Sequence, residues 1–138
     1  MPDLECACAS VRRVARLVTQ LYSDEMGLCV EPAQFALLKM LQQRPGISQA
    51  AACGALGFDK TTLSRNLRVL AKNGWIESIP GEDRRTRGSR LTAAGEEVIL
   101  KATPGWRRAQ QKLRAELGDE GWVRMMDVFG KVARAAAK

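Results

Sequence analysis

Between Ile47 and Leu91 the chain passes from helical to alternating periodicity in an order that few folds accommodate. Ser48 is placed to cap a short Ala-rich helix running to about Leu56, and Gly57 breaks it before Asp59, a good N-cap for the next helix. In that second helix Leu63, Leu67, Leu70 and Ala71 form an inward stripe, which leaves Thr61, Ser64, Arg65, Arg68 and Lys72 on the opposite face. The outward face carries hydroxyls and cations and no acid. Gly74 ends the helix, Trp75 to Ile79 alternates like a half-buried strand, and Pro80-Gly81-Glu82-Asp83 turns into a basic stretch before a second strand ending at Leu91.

Helix, turn, helix, strand, basic loop, strand is the winged helix-turn-helix order. The flanks are helical. Val11, Val14, Ala15, Val18, Leu21 and Tyr22 make the apolar side of an amphipathic first helix, and Gly27 interrupts it. Pro32 suits the first turn of a second helix reaching Gln43, apolar nearly all round and therefore buried, which Arg44-Pro45-Gly46 ends. Thr92 caps a helix expected to run to about Leu117, with Gly95 standing where a capping box would have an acid and a kink expected near Thr103 from Pro104-Gly105. After Gly118 a last helix sets Trp122, Met126, Phe129, Val132 and Ala133 on one side. With 138 residues the chain is one domain, mainly α with a small β-hairpin wing.

Net charge is +7, and residues 60–90 hold most of it, with eight Lys and Arg against three Asp and Glu. A basic helix face and a cationic hairpin tip point to a polyanion, and a Thr/Ser/Arg face fits the major groove of double-stranded DNA. There is no histidine, which removes imidazole bases, Ser/His and Cys/His nucleophile pairs and every His-containing zinc set. No paired-carboxylate cleft or glycine-rich phosphate loop stands out, so an enzyme, a cofactor and a metal centre are not expected. The absence of an apolar run of about 20 residues and of a basic-then-apolar leader implies no membrane and a cytoplasmic protein, with Cys6, Cys8, Cys29 and Cys53 as thiols. Cys53, among alanines, reads as a small buried hydrophobe.

Over almost its whole length the chain resembles the MarR family of bacterial transcriptional regulators. Two segments carry the resemblance: Asp59-Lys60-Thr61-Thr62-Leu63-Ser64-Arg65-Asn66-Leu67, like the start of the family's recognition helix, and Asp83-Arg84-Arg85, followed after five residues by Leu91-Thr92, like its wing. The resemblance implies an intertwined helical homodimer, with residues 1–30 and 93–138 as dimerisation region and 31–92 as the winged DNA-binding region. It also implies a near-palindromic operator and a repressor's role. Lys60, Thr61, Thr62, Ser64, Arg65 and Arg68 would then face the major groove, and Ser48 and Gln49 would hold phosphate. Arg84, Arg85 and Arg87 would reach the minor groove or its phosphates, with Asp83 and Arg85 ordering the wing.

Three effector readings stay open. Members of the family respond to small organic ligands, often aromatic carboxylates, in a cleft between the dimer helices and the winged region; Arg12, Arg13 or Arg16 would meet the anion, although they equally suit a solvated helix face. A second branch senses organic hydroperoxide through a cysteine at the start of the first helix and a tyrosine fourteen residues on, the spacing of Cys8 and Tyr22, but Arg12 stands where a second tyrosine is expected. A third reading is a soft metal or arsenite on Cys6, Cys8 and Cys29. Beside the regulator stands another class, a winged-helix protein-interaction module without an operator.

Overall fold

In the computed structural model, residues 5–27, 29–83 and 85–137 are described. The helical boundaries follow local chemistry. Helix α1 (Ala7–Met26) starts at Cys6, whose Sγ accepts from the Ala9 N–H, and ends at Gly27. Helix α2 (Pro32–Gln43) has proline in its first turn and a capping box in which the Glu31 and Gln34 side chains satisfy each other's backbone donors. Helix α3 (Gln49–Leu56) is capped by Ser48 and closed by Gly57 in the left-handed conformation. Helix α4 (Lys60–Lys72) follows, then antiparallel strands β1 (Ile76–Pro80) and β2 (Arg87–Leu91), paired from Ile76 opposite Leu91 to Pro80 opposite Arg87.

The last element, α5 (Ala93–Ala136), is helical throughout except at Gly118, whose φ of 72° and ψ of 167° break it. Two helices meeting near Gly118 were expected; the structure joins them across that one residue, with the Arg114 guanidinium 5.0 Å from the Trp122 ring centroid on the far side. The kink expected near Thr103 is not where the backbone departs from helix. Dihedrals stay helical through Pro104, whose ring leaves the Leu100 carbonyl without its helical donor at a position of α5 where the residue is 73% exposed. The Thr103 hydroxyl donates to the Ile99 carbonyl, 2.6 Å, one turn back.

The core is centred on α2, whose Phe35, Leu37, Leu38 and Leu41 are buried against Leu63 and Leu70 of α4, Ile76 of β1 and Val98, Ile99 and Ala102 of α5. Cys53 is half-buried and packs on this cluster. Ala71, expected inward, is exposed: at 100° per residue it lies about 80–100° round α4 from the buried Leu63 and Leu70, and it lines a groove between α4 and the wing. The apolar stripes at the two ends of the chain have no cover within one copy. Val11, Val14 and Leu17 of α1 and Val123, Met126, Phe129 and Val132 of α5 are exposed, Phe129 to 50%.

Candidate nucleic-acid interface

The α3–α4 unit is held by short-range hydrogen bonds. Ser48 Oγ accepts from the Ala51 N–H at 3.1 Å, and Gly57 and Phe58 donate to the Cys53 carbonyl at 2.8 and 3.2 Å. Asp59 Oδ1 accepts from the Thr62 N–H at 2.7 Å, and that bond, with the Arg65 charge as a smaller influence, holds the Asp59 carboxyl below the ordinary range. At 100° per residue, Thr61, Ser64, Arg65 and Arg68 fall within one arc of α4, whereas Lys60 and Thr62 flank it. Lys60, Thr61, Arg65 and Arg68 are exposed, and Thr62 and Ser64 are half-buried. Gln49 is exposed at the start of α3, beside the half-buried Ser48.

In the wing, the Asp83 carboxylate accepts from the main-chain N–H of Arg85 at 3.1 Å, and the Asp83 carbonyl accepts from both the N–H and the hydroxyl of Thr86. Ordering therefore runs through Arg85's backbone, which leaves its exposed side chain free of that task. Arg84 lies outside the described residues. Arg87 Nε donates to Ser78 Oγ at 3.1 Å, laying the guanidinium across the hairpin, and Arg87 lines the α4–wing groove with Gln49 and Arg68. Arg90 pairs with Glu77 at 2.7 Å.

Sequence reasoning missed a second support for the wing. Arg44, just past α2, grips Glu82 through Nε at 2.6 Å and Nη2 at 2.7 Å. The Gly46 N–H donates to the Ser89 carbonyl and the Glu82 N–H to the Gly46 carbonyl, both at 3.0 Å. A Cβ on Gly88 would lie 2.6 Å from Gly46 Cα, so the two backbones touch. A glycine inside a strand was the available signal.

A cavity of about 600 Å³ opens between α1, α2 and α5, lined by Tyr22, Phe35, Lys39, Trp106 and Arg107 among others. Its cations, Lys39 and Arg107, were not singled out from the sequence. Phe35 and Trp106 pack with ring centroids 6.1 Å apart. The Tyr22 hydroxyl donates to Gln110 Oε1, and burial pushes its phenol up. Arg12 and Arg13 are exposed and do not line this cavity, and Arg16 lines a separate, more open groove with Thr19, Gln20, Ser23 and Glu31.

Cys6, Cys8 and Cys29 are exposed, and among the described residues no three Cys, Asp or Glu side chains gather as a metal-binding group. The soft-metal set is therefore not assembled within one copy, since α1 separates Cys6 and Cys8 from Cys29 by most of its length. Cys8, in the first turn of α1, and Tyr22, in its last two, are about 21 Å apart along one helix axis, so one copy does not bring them together. Among the described residues no helix is long and apolar enough to cross a membrane.

The MarR family model matches residues 30–86. The chain is similar to the transcriptional regulator HosA of Escherichia coli O127:H6, with 30% identity over 95 residues that cover 68% of this chain and 70% of HosA. It is similar in structure to the M. tuberculosis transcriptional regulator MosR in complex with DNA, with a TM-score of 0.85 and 31% identity over 96% of this chain and 97% of that one. The PcaV transcriptional regulator of Streptomyces coelicolor, in complex with its natural ligand, shares the fold with a TM-score of 0.86 and 23% identity over 99% of both chains.

Proposed function

The chain belongs to the MarR family of transcriptional regulators, and from that membership we propose that it is a homodimeric repressor that sets α4 of each copy in a major groove of a near-palindromic DNA operator. The observation that carries this reading is the acid-free arc of Thr61, Ser64, Arg65 and Arg68 on a capped helix, with Arg85 and Arg87 beside it on the wing. Arginine takes two acceptors of a guanine edge, and the hydroxyls meet other base edges or phosphates. Ser48 and Gln49 at the start of α3 are assigned to backbone phosphate, Lys60 and Thr62 to the margins of the groove, and Arg84 to the wing's contact. Residues 31–92 form the DNA-binding region. The exposed apolar stripes of α1 and of α5 after Gly118 supply, within 1–30 and 93–138, the surface that a second copy covers.

Derepression is assigned to a small organic anion in the 600 Å³ cavity. Apolar walls with a few convergent polar groups suit such a ligand, and Lys39 and Arg107, not Arg12 or Arg16, are its cationic partners. Oxidation of Cys8 is the second reading, favoured by the exposure of that thiol in the first turn of α1.

The test is binding to a duplex taken from immediately upstream of the protein's own coding sequence, at several salt concentrations. Affinity should fall steeply with salt as condensed counterions are released. Arg65→Ala and Arg68→Ala should each weaken binding by about tenfold or more at fixed salt. Unchanged affinity in both variants would refute this reading and favour a protein-interaction module. Loss of wild-type binding after organic hydroperoxide, retained in Cys8→Ser, would transfer derepression from the cavity to the thiol.

A further inference from the structure

Arg44 and Glu82 lie 38 residues apart and outside the DNA-facing arc of α4, yet they join the turn after α2 to the base of the wing. The contact is more than one ion pair. The Gly46 carbonyl accepts from Glu82's own N–H, and the Gly46 N–H reaches Ser89 on β2, so the turn runs beside the hairpin like a fragment of a third strand. Gly46 is buried, with a φ of 76°, and Gly88 leaves no room for a side chain between them. Arg44 itself is anchored through its N–H to the Met40 carbonyl at 2.8 Å, so the guanidinium projects from the end of α2, the helix at the centre of the core. A bidentate arginine–carboxylate pair fixes an angle as well as a distance.

We propose that Arg44 and Glu82 are a positioning pair for DNA binding, holding the wing at the angle at which Arg85 and Arg87 and the arc of α4 reach the same duplex. Neither side chain is assigned a contact with DNA. The proposal rests on the DNA-binding reading above. A two-stranded hairpin is marginal by itself, so its direction must be imposed from outside; α2, α4 and α5 pack on the strands, and the α2–α3 turn adds hydrogen bonds to the wing from Gly46.

Charge makes the inference testable by sign. Glu82→Gln removes an acid near a polyanion, and through charge alone it would tighten binding; Arg44→Gln would weaken it, and the double variant would return to wild type. A pair acting as one unit behaves otherwise. Each single variant and the double should weaken binding to the upstream duplex to a similar extent, about fivefold for an exposed pair of this geometry. Tighter binding by Glu82→Gln, or a double variant equal to wild type, overturns the proposal.

Hydrogen exchange on the protein without DNA supplies a readout independent of the operator. In Arg44→Gln the N–H groups of Gly46 and Glu82 should exchange faster while that of Gly57, which caps α3, keeps its rate. Rates unchanged from wild type at all three would show that the pair does not hold the wing and would overturn the proposal even if binding fell. A wild-type protein that binds no DNA defeats the function reading, and with it any DNA-positioning role; the exchange rates then report separately whether the pair holds the wing.

Discussion

Replacing Gly105 by alanine sets a local effect against a tertiary one, and the structure says which wins. In a helix interior alanine is favoured over glycine by about 1 kcal/mol. A Cβ at position 105, however, would lie 2.3 Å from the Glu25 carbonyl oxygen and 2.7 Å from Met26 Cα. Non-bonded contacts settle at about 3.5 Å, so the end of α1 would have to retreat from α5 by roughly 1 Å. The obstructing atoms are backbone, and no rotamer change relieves them. Retreat would also stretch the 2.9 Å bond from Arg108 Nη2 to the same Glu25 carbonyl. Overpacking of this kind costs about 1–3 kcal/mol, and because the obstructing atoms are backbone the upper part of that range, about 2–3 kcal/mol, applies; subtracting the helical gain leaves a net loss of about 1–2 kcal/mol. Gly54 is the control, since it sits in α3 with nothing within 4 Å of an added Cβ. There the same substitution should stabilise by about 0.5–1 kcal/mol. Denaturant midpoints at matched protein concentration decide the matter, because the proposed dimerisation would add a concentration-dependent term. A Gly105→Ala midpoint at or above wild type would refute the close approach of α1 and α5.

Two further outcomes follow from the same packing. Glu25 accepts hydrogen bonds from Lys112 and Arg108, which hold its carboxyl below the ordinary range. A lowered folded-state pKa contributes stability above the ordinary carboxylate range, lost as pH falls through the lowered value, so the midpoint should decline below about pH 4. Glu25→Gln should lower the midpoint at neutral pH and flatten that decline; a curve parallel to wild type from pH 7 to 3 would contradict it. Phe129→Asp puts a charge on the exposed stripe of α5; if that stripe forms the proposed homodimer interface, sedimentation should show the dimer dissociation constant raised by about tenfold or more, with DNA affinity falling alongside. An unchanged dimer would place the interface elsewhere.

What the sequence determined by itself are the features closed within one turn of chain. Ser48, Asp59 and Thr92 each accept from an N–H three residues on, so the starts of α3, α4 and α5 were legible before any packing was known. Gly57 and Gly118 break helices through their own left-handed φ, again a local matter. The periodicity of α4 separates Leu63 and Leu70 from Thr61, Arg65 and Arg68 without reference to neighbours, and so the candidate DNA face could be read directly.

Only the tertiary structure decided the meaning of Gly95, Gly105 and Gly88. Gly95 replaces a capping acid because a Cβ there would meet the Trp75 carbonyl oxygen at 2.2 Å; Gly105 admits α1, and Gly88 admits the α2–α3 turn. Likewise Arg44 and Glu82, or Lys39 and Arg107, are ordinary surface cations and acids until the fold brings distant segments together. Caps and breaks depend on hydrogen bonds and dihedrals within a few residues. Close approach, ion pairing across the fold and the walls of a cavity depend on where separate helices are set by burial of a shared core, and one-dimensional periodicity carries no record of those distances.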